Sequence, residues 1–221
     1  MNKSENDLVV KKNNKVFDAR VEKHGVSSSA VRWDDQQTQY LRFFELVKTF
    51  DLSDQNKTVL DVGCGNGELL KFLNFLGFRG QYFGVDINQK LINQAKGQFG
   101  PERFTLTDIM VDTIDRKFDY VVMSGLFNTN VGQSMDWIND FTKKMFSLTK
   151  DTLSFNAVST HVSYHDDEIF YIAPEEMLRF CIENLSPRVT LTHHNLPYNY
   201  TVIISKNSEW TSVNRKKNDG K

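Results

Sequence analysis

Short apolar runs alternate with longer stretches of helical period along most of the chain. Tyr40, Phe43, Phe44 and Val47 recur at i, i+3, i+4 and i+7, which predicts a helix through residues 39–50, capped by Asp34 or Asp35. A strand over 58–62 runs into the turn Gly63-Cys64-Gly65-Asn66-Gly67, followed by a helix over 68–76 that Gly77 ends. A second strand, 81–85, precedes a helix over 89–99 with Asn88 as its cap. Strands follow at 104–107 and at 118–123; the latter is the most apolar, as a buried parallel strand should be. A helix over 135–148 leads to a strand over 152–157. Pro174 opens a further helix, with Met177, Leu178, Cys181, Ile182 and Leu185 as its apolar stripe. The last two strands, 188–193 and 200–205, are joined by a connection too short for a helical crossover, so they must pair antiparallel.

Repeated strand–helix units closed by a hairpin predict an α/β fold: a mostly parallel seven-stranded sheet with helices on both faces and a C-terminal antiparallel hairpin. Residues 1–14 are rich in Lys, Asn and Glu and read as a disordered tail, and 208–221 as a second polar tail. The expected domain is 15–207, with a helical cap over 15–52 and a Rossmann-like core over 57–207. No repeat or Pro/Gly/Ser-rich linker marks an internal boundary.

Composition narrows the function classes. The 221 residues carry 27 Lys+Arg against 28 Asp+Glu, a balance unlike the basic footprint of a nucleic-acid binder. The chain lacks the apolar run of a membrane helix or signal peptide, so a cytoplasmic protein is expected. Two distant cysteines, Cys64 and Cys181, make neither a disulfide framework nor a zinc ribbon, and no metal site is expected.

The glycine turn carries the chemistry. A strand–glycine turn–helix junction brings backbone amides to a ligand at the carboxyl edge of the sheet. In the dinucleotide pattern GxGxxG the third glycine would fall at 68, where this chain has Glu68. A carboxylate in the first helical turn already occupies the positive end of the dipole and disfavours a pyrophosphate. Asp86 ends the second strand 23 residues after Gly63, where a carboxylate can accept hydrogen bonds from both ribose hydroxyls. An adenosine-type nucleoside without phosphate at the helix terminus fits both features, and S-adenosylmethionine is one.

Val59-Leu60-Asp61-Val62-Gly63-Cys64-Gly65-Asn66-Gly67 resembles the first motif of the class I S-adenosylmethionine-dependent methyltransferases, and Tyr82-Phe83-Gly84-Val85-Asp86-Ile87 resembles their acidic second motif. Asp108-Ile109, the strand 118–122 and the reversed last strand also match, over about residues 34–205. The segments 124–128 and 200–202 look like a bacterial branch without an assigned substrate. The resemblance implies that Asp61 meets the methionine ammonium, that Gly63, Cys64, Gly65 and Gly67 pack against the methionine tail and ribose, and that Asp86 holds the ribose. It implies further that Ile87 packs on the adenine, Asp108 accepts from its amino group and Ile109 covers the ring. Ser124 and Gly125 should lie near the methyl group, with Arg42 at the methionine carboxylate.

The acceptor side is less defined. The polar loop after the fifth strand holds His161, Tyr164, His165, Asp166, Asp167 and Glu168, and His161 is the candidate general base. Trp33, Phe127, Asn128 and Tyr164 are the candidate substrate contacts, and the segment Val31-Arg32-Trp33 is expected to close the site. The Asn/Asp-Pro-Pro-aromatic tetrad of many adenine and glutamine methyltransferases is replaced by Ser124-Gly125-Leu126-Phe127. The expected reaction is methyl transfer to O or N of a small metabolite by in-line displacement, in a monomer or homodimer. Two alternatives stay open: an RNA or protein methyltransferase, using Lys143-Lys144 or Arg215-Lys216-Lys217, and a non-catalytic S-adenosylmethionine-binding subunit.

Overall fold

The computed structural model describes residues 3–25, 36–196 and 198–206. The parallel strands β1 (Thr58–Val62), β2 (Gln81–Asp86), β3 (Phe104–Leu106), β4 (Phe118–Met123) and β5 (Thr149–Ser159) form the centre of the sheet. The hairpin β7 (Val189–Thr192) and β8 (Asn199–Ser205) joins it antiparallel along β5. A two-residue strand, β6 (Tyr171–Ile172), pairs with the end of β5. The order is β3-β2-β1-β4-β5-β8-β7, so successive connections leave β1 in opposite directions and open a crevice at the carboxyl ends of β1 and β4.

Helices cover both faces. Phe43, Leu46 and Val47 of α2 (Gln36–Val47), Leu69 and Leu73 of α3 (Glu68–Phe75), and Ile92 and Ala95 of α4 (Gln89–Phe99) pack with Val59, Tyr120 and Val122 in one core layer. Ile138, Phe141 and Met145 of α5 (Met135–Leu148) and Met177 and Cys181 of α6 (Pro174–Asn184) pack with Leu60, Val121, Phe155 and Val202 in the other. Asn88 caps α4 as expected, its side chain accepting from Leu91 N, and Pro174 stands in the first turn of α6.

Three expectations change. Residues 3–14 are not a disordered tail: α1 (Lys3–His24) is a helix with Asn6 and Val9 fully buried. Its inward stripe is Asn6, Val9, Val10, Asn13, Asn14 and Phe17. That helical spacing is half asparagine, so it leaves little apolar periodicity to read. Phe44 is 51% exposed, because the buried stripe of α2 runs through Gln39, Phe43, Leu46 and Val47 and Phe44 lies about 100° from Phe43. Ile182 is exposed for the same reason beside buried Met177 and Cys181. Asp34, Asp35, the segment 31–33 and residues 208–221 lie outside the described residues.

Candidate active site

The turn after β1 is fastened to β2 before any ligand is considered. The N–H groups of Gly63 and Cys64 both donate to Val85 O, at 2.9 and 3.1 Å. Gly63 has φ 75°, and a Cβ there would stand 2.6 Å from Leu126 Cδ1, so only glycine fits. Asp86 locks the far side: its Oδ2 accepts from Gly65 N and its Oδ1 from Asn88 N, each at 2.8 Å. A carboxylate offers about four lone-pair sites, so two remain for a ribose. Burial nevertheless pushes the Asp86 carboxyl upward, against the pull of those backbone bonds.

Asp61 lies beneath the turn, fully buried, and accepts a hydrogen bond from Tyr82 Oη at 2.5 Å. Burial raises its pKa to about 7; the Tyr82 bond opposes the shift and the nearby Asp86 charge adds to it. A cation placed beside Asp61 would reverse that shift by stabilising the charged form. Asp108 closes the other end: its Oδ1 accepts from Met110 N at 3.0 Å and its Oδ2 from Asn6 Nδ2 at 2.7 Å. Beyond β4, Ser124 Oγ is buried without a partner, and Gly125 N donates to Asn156 Oδ1 at 2.7 Å.

These groups enclose one cavity. Asp61, Gly63, Cys64, Gly65, Asp86, Ile87, Asp108, Ile109, Ser124 and Gly125, all singled out in the sequence, line it together. Gly67 does not: it opens α3 at φ 89°, and a Cβ there would meet the Phe99 ring at 2.9 Å, so its role is packing. Arg42 also lies off the lining, its Nε donating to Asn199 Oδ1 at 3.4 Å. The structure sets His161 outside the cavity on an exposed loop, with Nε2 3.2 Å from Glu175 Oε2. Tyr164 is 70% exposed, and neither it nor Asn128 lines the cavity. Asn128 is held by its backbone, to Gly125 O and Phe170 N. Phe127 is a core residue, meeting Trp137, Phe141 and Phe155 edge-on. Trp33 lies outside the described residues.

Sequence reasoning missed the roof. Asn6, Asn13, Asn14 and Phe17 of α1, Gln39 of α2 and Trp137 of α5 complete the lining. Trp137 Nε1 donates to Asn6 Oδ1 at 3.2 Å, and Asn88 Nδ2 donates to Asn14 and Asp18 on α1, at 3.2 and 3.0 Å. The signal available was the recurrence of asparagine at helical spacing near the start of the chain. Four carboxylates line the cavity (Asp61, Glu68, Asp86 and Asp108) and, among the described residues, no lysine, arginine or histidine does.

A glycine turn after β1 and an acid at the end of β2, at the switch point of this sheet, define a Rossmann-like nucleotide-binding fold, and its antiparallel C-terminal hairpin is that of the class I methyltransferases. The family of methyltransferase domains matches residues 53–208, and the chain belongs to it; its members are S-adenosylmethionine-dependent methyltransferases. The chain is 30% identical over 158 residues to Rv1506c of Mycobacterium tuberculosis, a protein named as a methyltransferase without a stated acceptor; the match spans 68% of this chain and 94% of that one. Among solved structures it resembles magnesium protoporphyrin IX methyltransferase of Synechocystis with bound S-adenosylhomocysteine (TM-score 0.66, 15% identity, 92% of this chain and 100% of that one). It also resembles the plantazolicin methyltransferase BpumL (TM-score 0.63, 14% identity, 94% and 100%). Those two likenesses concern the fold.

Proposed function

We propose that this protein transfers the methyl group of S-adenosylmethionine to an O or N atom of a small-molecule metabolite by in-line displacement. The observation that carries the cofactor half is the cavity itself: buried Asp61 with its raised pKa, among carboxylates and, among the described residues, with no cationic side chain. Such a lining favours a ligand that brings positive charge, and a sulfonium with an ammonium does. In this reading Asp61 faces the ammonium, Asp86 accepts from the ribose, Ile87 and Ile109 flank the adenine and Asp108 accepts from its amino group. Gly63, Cys64 and Gly65 present backbone to the chain between them. When bound, the cofactor supplies a methyl group on a positively charged sulfur. The chain's part is to hold the two reactants in line and keep water out, and positioning of this kind is worth roughly 7–11 kcal/mol.

The acceptor half rests on closure. α1 roofs the cavity, and Lys143 and Lys144 point elsewhere: Lys143 Nζ lies over the Phe180 ring and Lys144 donates to Asp112 O. A small molecule reaches such a site more readily than a polymer backbone. Calorimetric titration with S-adenosylmethionine and S-adenosylhomocysteine tests the reading. Micromolar binding of both, lost in Asp86→Ala, is expected; no binding of either would overturn it.

A further inference from the structure

Tyr82 is not part of the cavity lining, yet its hydroxyl ends 2.5 Å from Asp61 Oδ2, and both side chains are buried. The sheet explains how the two meet. β1 and β2 run parallel, with Val59 beside Tyr82 and Asp61 beside Gly84, and alternate residues share a face. Val59 and Tyr82 belong to the layer of α2, α3 and α4, so Asp61, two residues after Val59, points to that side as well. Gly84, paired with Asp61, has no side chain to intervene; a Cβ there would stand 2.7 Å from Phe104 Cδ1 and 3.0 Å from Cys64 Sγ. The Phe104 ring packs on the Tyr82 ring with centroids 5.7 Å apart, which fixes where the hydroxyl ends. One oxygen of Asp61 is thus engaged from beneath the cavity by a group that touches no ligand.

A buried carboxylate keeps its charge only where donors replace the water it has lost. Among the described residues, Tyr82 is the donor that the Asp61 side chain meets. Burial and the Asp61 charge push the Tyr82 hydroxyl well above its ordinary range, so it stays a donor through neutral and mildly alkaline pH. The other titratable groups nearby give Asp61 no support: Asp86 of β2 repels its charge, and burial keeps Cys64 of the turn neutral. Glu68 of α3 and Asp108 after β3 stand elsewhere on the lining. β4 sets Val122 beside Asp61, and α1, α2, α4 and α5 bring amides, an indole and apolar side chains to the cavity.

We infer that Tyr82 is the positioning residue of the methionine end of the site: its hydroxyl engages Asp61 Oδ2, sustains the carboxylate and leaves Oδ1 to accept from the cofactor ammonium. The inference rests on the proposed place of Asp61 in cofactor binding and assigns it a partner. Tyr82 acts on the proton of Asp61, which leaves to solvent before the ammonium pairs with the carboxylate. Its hydrogen bond is the influence that opposes burial, so Tyr82→Phe moves the ionisation of Asp61 above about pH 7. Ammonium affinity follows the ionised fraction. The loss is therefore full below about pH 7 and fades once the pH passes the raised value.

The test titrates the full chain as wild type, Tyr82→Phe, Asp61→Asn and the double variant with S-adenosylhomocysteine, on both sides of about pH 7. Methylthioadenosine, which keeps the nucleoside and lacks the ammonium, is the control ligand. Tyr82→Phe should bind S-adenosylhomocysteine about tenfold more weakly on the acid side, with the plateau moved up by about one pH unit and near wild-type affinity beyond it. Its affinity for methylthioadenosine should stay within about twofold of the wild type, and in the Asp61→Asn background the same change should matter by no more than about twofold for either ligand. A loss of equal size at every pH, or one shared by both ligands, would make Tyr82 a packing residue and overturn the inference. An unmoved profile would do the same. If Tyr82→Phe does not fold, a ring-fluorinated tyrosine at position 82, a stronger donor of nearly the same shape, should move the plateau to lower pH, and a plateau left in place would again overturn it. Failure of the wild type to bind S-adenosylhomocysteine, or wild-type binding by Asp61→Asn, is the separate failure of the underlying reading.

Discussion

Asn6 and Asp108 are 102 positions apart in the chain, yet Asn6 Nδ2 donates to Asp108 Oδ2 at 2.7 Å, while Asn6 Oδ1 accepts from Trp137 Nε1 at 3.2 Å. One amide thus ties α1 to the loop after β3 and to α5, over the end of the cavity assigned to the adenine. Replacing it with alanine leaves an indole N–H and a carboxylate oxygen short of a partner, each at about 1–3 kcal/mol. Asn6→Ala should weaken S-adenosylhomocysteine binding severalfold, and deletion of residues 1–33 by tenfold or more. Calorimetry on both proteins checks this, and an unchanged affinity in the deletion would show that α1 is no part of the site.

Asp86→Ala should cost at least tenfold in S-adenosylhomocysteine affinity, which is about 1.4 kcal/mol. The side chain also holds Gly65 N and Asn88 N, so a modest fall in melting temperature should accompany the loss. Asp86→Asn separates the two effects, since an amide oxygen can still accept a backbone bond. It should recover stability before it recovers binding.

Asp61 predicts opposite pH trends for stability and for binding. Burial keeps its proton until about pH 7, whereas an unfolded aspartate releases its own near pH ~3.9. Its contribution to the stability of the free protein is therefore full below about pH 4 and is lost as the pH rises through about 7. An ammonium ligand wants the ionised form, so S-adenosylhomocysteine affinity should climb up to tenfold per pH unit below about 7 and then level off. Titrations near neutral pH in buffers of different ionisation enthalpy should reveal proton release on binding. Asp61→Asn should abolish both the release and the pH dependence.

Phe127→Ala tests the packing assignment. The ring is fully buried against Trp137, Phe141 and Phe155, and truncating such a side chain costs about 3–5 kcal/mol. For a domain of this size the melting temperature should fall by roughly 6–20 °C. The fraction that stays folded should bind S-adenosylhomocysteine normally. Wild-type stability with lost turnover would instead make Phe127 a substrate contact.

His161→Ala should leave kcat within twofold of the wild type, because the ring faces solvent and Glu175 rather than the cavity. A hundredfold loss would mean that the loop after β5 folds inward during turnover.

Local pattern made the centre of this protein legible. β1, the glycine turn and Asp86 need only neighbouring residues to declare themselves: an apolar run, a turn that demands glycine, an acid at a strand end. Ten of the expected cofactor positions meet in one cavity, and Ile87, Asp108, Ile109, Ser124 and Gly125 among them are implied by the family resemblance rather than by local pattern. What stayed hidden depends on distant partners. α1 buries asparagines whose hydrogen-bond partners lie more than seventy residues away, so its inward face looks polar in sequence. Gln39 is hidden for a related reason, as a polar residue within the buried stripe of α2 beside Phe43, Leu46 and Val47. His161 and Tyr164 follow the carboxyl end of β5, as a site loop should, but a loop's path is not encoded in its composition. Phe44 failed by a single residue of helical phase.

The two free cysteines divide between the two faces of the sheet, Cys64 in the layer of α2, α3 and α4 and Cys181 in the layer of α5 and α6. Burial pushes the Cys64 thiol well above its ordinary range and the Cys181 thiol to about 12. Cys181 cannot react with an alkylating reagent from the closed structure, since attack requires an exposed thiolate, whereas Cys64 is reached through the cavity. The labelling rate of Cys181 therefore times the opening of its layer, and that of Cys64 times access to the cavity. Because Cys64 lines the cofactor cavity, a bound nucleoside should slow its labelling more than that of Cys181.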